Sequence, residues 1–254
     1  EERVRDMLAS TTLAPSEPLV FDALTDGPPQ RAEPPADEII AVLAHELRTP
    51  LTVIAGYADM LDSLEREEDR TAAFDALRRN AARMQGVLDS FNALRDLDEG
   101  TLGITRSPID APVLIGEVVR DAGPTLSSHQ LVVGPVPACT LDVDGMRVQQ
   151  IIGNLLTNAA KYSPAGTTIS LDTTCERSEV TIVVADEGAG IPPEQVAVAF
   201  RKFGRLDRRR KGTGIGLYLA RGFARAHGGD LTYRRSAGGG SELWLTLPRV
   251  TSAP

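Results

Sequence analysis

The chain has 254 residues, 27 Lys and Arg against 35 Asp and Glu for a net charge of −8, and 42% hydrophobic residues. These values predict a soluble globular protein of one to two domains, each able to bury a core. They exclude a disulfide scaffold, and the acidic balance argues against nonspecific binding to nucleic acid. Cys139 and Cys175 lack metal-ligand spacing and are read as reduced, cytosolic packing thiols. The longest apolar runs, such as Ile39 to Ala44, fall short of the ~18 residues of a membrane-spanning helix. Because residue 1 is Glu, the sequence is expected to be a fragment. Any membrane link would then come through a sensor segment upstream, with this part cytoplasmic.

Residues 1–10 predict a short charged helix, and Pro15, Pro18, Pro28, Pro29, Pro34 and Pro35 then break regular structure, so 1–36 is expected to be a linker or N-terminal extension. A small extended segment packed on the next domain is the alternative. Asp37 is the expected N-cap of a long helix. Apolar residues recur in heptads at Ile40, Leu47, Ile54 and Leu61, and at Leu43, Tyr57 and Leu64. After a polar turn, Glu65 to Arg70, the spacing repeats at Phe74, Leu77, Ala81, Met84, Leu88 and Phe91. Residues 37–98 therefore predict a helical hairpin. One hairpin leaves its seam bare, so a homodimer forming a four-helix bundle is expected.

A connector is predicted at 99–108, followed by a domain of mixed α and β structure over 109–250. Strands are expected at Thr167 to Thr174, Val180 to Ala185 and Ser241 to Leu247, and helices at Val113 to Ala122, Gly145 to Tyr162 and Gly216 to His227.

Chemistry concentrates at a few places. The heptad puts His45 on the solvent face, where Glu46 can contact one ring nitrogen and leave the other free as a nucleophile. Thr49 lies at i+4 on the same face, and Pro50 interrupts the helix, which costs about 3 kcal/mol in an ordinary helix interior. Asn154 and Asn158 share a helix face as i and i+4, with Lys161 and Tyr162 following. Amide oxygens there suit Mg²⁺, and Lys161 suits phosphates, although the bland alternative is a polar helix face. Asp186 ends a strand beside Gly188 and Gly190, which alone could be a simple turn. Gly212, Gly214 and Gly216, with Leu217, open a helix whose free N–H groups suit phosphates. No strand precedes that turn, which disfavours a dinucleotide-binding fingerprint. The charged stretch Arg205 to Lys211 reads as a mobile lid whose Arg208, Arg209, Arg210 and Lys211 could screen triphosphate charge, or as a solvated basic loop.

HELRTP, His45 to Pro50, resembles the phosphoacceptor box of bacterial sensor histidine kinases, and the order of motifs from Asp37 to Pro248 is similar to that family's throughout. DGMRVQQIIGNLLTNAAKYSP, Asp144 to Pro164, resembles its N box; DEGAGIP, Asp186 to Pro192, its first glycine box; GTGIGL, Gly212 to Leu217, its second. AFRKFGR, Ala199 to Arg205, is a looser match to the F box. Family members usually carry an acidic residue where Arg201 stands and an aromatic one where Gly204 stands. GGGSELWLTLP, Gly238 to Pro248, resembles the closing turn and strand.

The resemblance implies an α+β fold, a helical hairpin forming a dimeric four-helix bundle followed by a Bergerat-type α/β sandwich that binds ATP. It implies that His45 is the phosphoacceptor, that Glu46 orients or deprotonates it, and that Thr49 helps dephosphorylate the partner. Asn154 would ligate Mg²⁺, and Asn158, Lys161, Tyr162, Asp186, Gly188, Gly190, Gly212, Gly214, Gly216 and Leu217 would surround ATP, with Asp186 accepting from the adenine amino group. The implied partner is the Asp of a separate response regulator. The competing expectations are a dimeric scaffold with weak ATP binding and an ATPase of the gyrase or chaperone kind.

Overall fold

The computed structural model describes residues 36–207 and 212–250. The expected linker up to residue 35 and the basic run Arg208 to Lys211 lie outside the described residues.

Helix α1 spans Ala36–Met60, continues as a 3₁₀ turn at Leu61–Ser63, and pairs with α2, Glu67–Asp98. The helix therefore starts before Asp37, and the polar turn is shorter than expected. Glu67, Glu68 and Asp69 form the first turn of α2, where acidic side chains suit the positive end of the helix dipole. Small residues make the close approach: Ala73 and Ala76 are buried. Bulky seam residues are not, for Ile40 is 61%, Phe74 50% and Leu88 40% exposed. A single hairpin thus leaves most of its apolar stripe uncovered.

The expectation drawn from uninterrupted apolar runs needs correcting here. Ile39–Ser63 has a mean hydropathy of 1.3 in an 18-residue window and is long enough to cross a membrane by those measures alone. Scattered charges broke the runs, yet the mean over the window stays at 1.3. One of them, Glu46, is buried and ion-paired to Arg83 of α2 at 3.5 Å.

Strand β1, Ser107–Asp110, pairs antiparallel with β3, Thr140–Val143. The end of the expected connector is therefore a strand. Between them lie α3, Ala111–Ala122, and β2, Gln130–Val133. Helix α4, Gly145–Tyr162, leads into β4, Thr168–Cys175, and β5, Glu179–Asp186; then come α5, Pro193–Ala199, α6, Gly216–Ala226, β6, Asp230–Arg235, and β7, Ser241–Pro248. The larger sheet has the order β2-β4-β5-β7-β6, parallel only between β2 and β4. Alternation along β5 and β7 turns Val180, Ile182, Val184, Leu243, Leu245 and Leu247 to one face, where they are buried. Val148, Ile151, Ile152, Leu155 and Leu156 of α4 meet that face with no more than 1% exposure each. At about 25 cal/mol per Å² of apolar surface, five such side chains make α4 the central helix of the core.

Asp230 joins α6 to β6 by accepting from Arg221 at 2.9 and 3.0 Å and from Arg225 at 3.0 Å. Burial alone would raise its carboxyl, but the hydrogen bonds from Arg221 and Arg225 outweigh it and hold the group well below the usual carboxylate range. Cys139 and Cys175 are both free thiols, and burial together with a hydrogen bond to Cys175 pushes Cys139 up to about 11.

Candidate functional site

The N-terminus of α4 is fixed from three directions. Asp144 caps the helix by accepting from the Arg147 N–H at 3.2 Å, and its other carboxylate oxygen accepts from the Thr105 N–H at 3.2 Å. Its own N–H donates to Nε2 of His227 at 3.0 Å. With the apolar stripe in the core, helical periodicity leaves Asn154, Asn158 and Lys161 half-buried on the remaining face.

That face meets both glycine boxes. A side chain at Gly216, the first residue of α6, would sit 3.9 Å from the Asn154 amide oxygen. One at Gly212 would sit 2.9 Å from Lys161 Nζ, which also lies 4.8 Å from the ring of the exposed Tyr162. Gly214 has φ +74°, a left-handed conformation that a Cβ would strain, and no side-chain hydrogen bond caps the start of α6 at Ile215. N–H groups at such a helix start are of the kind that suits an anion. Leu217 turns inward and packs on the core.

Asp186 ends β5, where it is 9% exposed and accepts from the Gly188 N–H at 2.8 Å and the Ser241 N–H at 3.2 Å, both at Oδ1. Neither bond uses Oδ2. Gly188 has no room for a side chain, since a Cβ would lie 2.7 Å from the Tyr162 carbonyl oxygen. Gly190 is held through its neighbour: Tyr233 accepts from the Ile191 N–H at 2.7 Å and donates to the Ile191 carbonyl at 3.2 Å. Tyr233 escaped the sequence reading because a lone tyrosine on a strand carries no motif, and Ser241 was read only as part of the closing turn and strand. The sheet order β5-β7-β6 gives them this role, with Ser241 on the strand beside β5 and Tyr233 one strand further out.

The residue types fit a nucleotide and a hard cation. Hard oxygen donors on Asn154 and Asn158, a lysine, and glycines that admit close backbone approach surround one surface. Among the described residues no group of three or more His, Cys, Asp or Glu side chains is placed to hold a metal ion. A cation there would need amide and phosphate oxygens together.

His45 stands apart from this surface. It is exposed on α1, level with the Glu46–Arg83 pair, and Thr49 Oγ1 donates to the His45 carbonyl at 3.4 Å. Pro50 lacks the N–H that would bind the Glu46 carbonyl, so the ladder is weakened just below the histidine. Glu46 reaches across the hairpin to Arg83, and among the described residues it makes no hydrogen bond to the imidazole. The expected Glu46 contact with the ring is thus replaced by an ion pair, because burial in the seam favours a charged partner over a solvent-facing ring.

The F box lies between the glycine boxes and touches α2. Arg221 stacks 5.4 Å from the Phe200 ring, and Phe203 packs on Phe91 with centroids 6.5 Å apart. Phe203 holds φ +60°, a conformation costing about 1–2 kcal/mol for a residue with a Cβ. Lys202 pairs with Asp98 at the end of α2.

Residues 36–100 match the family described as His Kinase A (phospho-acceptor) domain, and residues 143–251 that of histidine kinase-, DNA gyrase B- and HSP90-like ATPases. The chain is 31% identical over 221 residues to the sensor histidine kinase WalK of Bacillus subtilis, covering 83% of this chain and 36% of the relative. It is 33% identical over 223 residues to the adaptive-response sensory kinase SasA of Synechococcus, covering 84% and 59%. With the sensor protein KdpD of Escherichia coli it shares 29% identity over 218 residues, 84% of this chain and 24% of the relative. The chain thus spans between about a quarter and three fifths of the curated relatives it matches. Among solved structures, full-length ShkA in complex with AMPPNP aligns with TM-score 0.62 and 26% identity, over 85% of this chain and 47% of that one. Acinetobacter baumannii histidine kinase AdeS shares the fold, with TM-score 0.56 and 20% identity over 80% of this chain and 97% of that one.

Proposed function

Since the chain belongs to the sensor histidine kinases and carries both domains of their catalytic core, we propose that it moves the γ-phosphoryl group of ATP to His45. From His45 the group passes to an aspartate of a separate response regulator. The observation that carries this reading is the division of parts. An amide, lysine, aspartate and glycine surface suited to ATP sits on one domain, and an exposed histidine one turn before a proline inside α1 sits on the other.

Asp186 Oδ2 accepts from the adenine amino group while Oδ1 stays tied to the backbone. Lys161 and the N–H groups of α6 balance the phosphate charge. Mg²⁺, held by Asn154 and phosphate oxygens, would supply further neutralisation of the triphosphate. Asn158, Tyr162, Gly188, Gly190, Gly212, Gly214 and Gly216 line the remaining surface, and Leu217 supports it from the core side. A neutral imidazole nitrogen of His45 attacks the γ-phosphorus in line, the bond to the β-γ bridging oxygen breaks, and ADP leaves. The ring proton goes to solvent, or to Glu46 once that carboxylate leaves its pair with Arg83.

The exposed stripe of Ile40, Tyr57, Phe74 and Leu88 is the surface for a second copy, giving a four-helix bundle. Thr49 serves a second activity, dephosphorylation of the regulator. The core works on the cytoplasmic side, where ATP is available.

Incubation with Mg²⁺ and γ-labelled ATP tests the assignment. Acid-labile, base-stable label is expected in the wild type and absent in His45→Ala. Equal label in both chains would overturn it.

A further inference from the structure

We propose that Cys139 and Cys175 form a reversible oxidation site: a small-molecule disulfide oxidant joins them in an internal disulfide that ties the start of β3 to the end of β4 and stabilises the ATP-binding domain while leaving its nucleotide surface open. They are the chain's two cysteines, and the kinase reading gives neither a part.

Both stand on backbone that is held in place. The Cys139 carbonyl, just before β3, accepts from the Ala111 N–H at 2.8 Å, and Cys175 is the last residue of β4, paired with Val180 of β5. Residues 249 and 250, directly after β7, draw the two places together. Arg249 donates from its backbone N–H to the Ser178 carbonyl and from its guanidinium to the Glu176 carbonyl, both at 3.0 Å, in the turn beside Cys175. On its other side Arg249 bridges Leu141, and the Val250 N–H donates to the Thr140 carbonyl at 3.0 Å, beside Cys139. The side chains then meet. The Cys139 thiol donates to the Cys175 sulfur, whose own proton is directed at the Glu176 carbonyl 3.9 Å away, and both side chains pack in one apolar cluster. Thiols that approach each other from ordered strands can be bridged with little backbone movement.

The pair is unequal, which sets the order of reaction. Cys139 is 6% exposed and Cys175 half-buried, so an oxidant meets Cys175 first. Burial, followed by the hydrogen bond and charge of Cys175, pushes the Cys139 thiol up to about 11, while Arg249 opposes them. A thiol held protonated is a poor nucleophile as long as Cys175 is reduced. The Cys175 thiolate attacks one sulfur of the oxidant, forms a mixed disulfide and expels one thiol. Cys175 can then no longer ionise, so its charge ceases to disfavour the Cys139 thiolate, and Arg249 still favours it. Cys139 gives up its proton, its sulfur attacks the Cys175 sulfur, the internal S–S bond forms and the second oxidant thiol leaves. Two electrons and two protons pass from the cysteines to the oxidant, which ends as two thiols. Reversal needs only a reducing thiol, in keeping with the transient, redox-sensing disulfides of cytosolic proteins.

Position decides the consequence. Along β4, Ile169 stands opposite Asp186 and Cys175 opposite Val180, so at about 3.4 Å per residue the cysteines lie about 20 Å from the Asp186 end. The loop that the bond closes contains β3, α4 and β4. The cross-link therefore restricts the unfolded chain without touching Asn154, Asn158 or Lys161.

Oxidised glutathione applied to the full chain at about pH 8 tests the site, read by thiol titration after unfolding, peptide mapping, thermal unfolding and ATP binding. The two free thiols should fall to none, with Cys139 and Cys175 in one cross-linked pair within a single chain. Tm should rise by about 5–10 °C with ATP affinity unchanged within about twofold, and a thiol reductant should reverse the change. In Cys139→Ser a mixed disulfide should persist on Cys175, whereas in Cys175→Ser the buried Cys139 should stay reduced. Two thiols left in the oxidant-treated wild type, a lasting mixed disulfide there, or a cross-link between chains would overturn the proposal, as would an unchanged Tm or a loss of ATP affinity in the cross-linked chain. Should a single variant fail to fold, the thiol count and peptide map of the wild type decide. A wild type that cross-links in this way yet takes no label on His45 would sink the kinase reading and leave the oxidation site standing.

Discussion

His227 gives the sharpest quantitative prediction. It is fully buried, Nε2 accepts from the Asp144 N–H at 3.0 Å, and Nδ1 bonds the Phe223 carbonyl at 2.7 Å, so the ring is neutral with the proton on Nδ1. Burial lowers its pKa below the ordinary 6.5; the hydrogen bond to Phe223 opposes that shift, Arg106 reinforces it, and Asp144 and Asp142 counter it. In His227→Phe a flat ring remains. The Phe223 carbonyl keeps the residue 227 backbone N–H at 3.1 Å, but the Asp144 N–H loses its partner. An orphaned buried donor costs about 1–3 kcal/mol and the lost Nδ1 bond about 1 kcal/mol, for a total near 3 kcal/mol. For a chain of this size that is a fall of about 6–12 °C in Tm.

The pH dependence follows from linkage. A histidine whose folded pKa is depressed contributes stability that is complete above 6.5 and is lost as pH falls below it, because the unfolded chain takes up the proton first. The wild type should therefore lose up to about 1.4 kcal/mol per pH unit below 6.5 that the variant does not lose. Thermal unfolding of both chains at pH 8.0 and 5.5, values chosen to straddle about 6.5, should show the difference in Tm shrinking at the lower pH. A difference that stays constant, or a variant as stable as the wild type at the higher pH, would refute the placement of a neutral histidine under the cap of α4.

Asp186→Asn should keep the fold, since an amide oxygen still accepts from Gly188 and Ser241, yet it presents a donor where the adenine amino group needs an acceptor; ATP affinity measured by calorimetry should fall about 10- to 100-fold. Leu88→Glu puts a charge on the exposed hairpin stripe, and analytical ultracentrifugation should show monomer at concentrations where the wild type is dimeric, with no loss of α-helix by circular dichroism. Thr49→Ala should retain His45 labelling within about twofold, because the hydroxyl bonds only its own helix, while dephosphorylation of a regulator is expected to slow by about tenfold or more; an unchanged dephosphorylation rate would remove Thr49 from that step.

The residues that bear chemistry were legible one motif at a time. Helix periodicity placed Asn154, Asn158 and Lys161 on one face of α4 because burying Ile151, Ile152, Leu155 and Leu156 leaves them no other face. The same logic set His45 outward between inward Leu43 and Leu47, and the bare stripe of the hairpin followed from counting apolar residues against a single partner helix. Alternation gave β4, β5 and β7, whose inner faces are continuous. What pattern reading missed were the four-residue strands β1, β2 and β3, together with β6 and the short α5. Four residues carry no measurable period, and β1 even contains Pro108, so these strands exist only because β3, β4 and β7 offer them edges.

Side-chain pairing across distant segments was likewise invisible. Glu46 was expected beside His45 and instead reaches Arg83, because the hairpin register puts a buried carboxylate opposite a guanidinium. Tyr233 holds Ile191 through the order β5-β7-β6, and Lys202 finds Asp98 only after two domains dock. Sequence determines what each element must bury and therefore which residues it must expose. Tertiary structure decides which exposed residues meet, since that depends on strand order, hairpin register and docking level, none of which leaves a period in the chain.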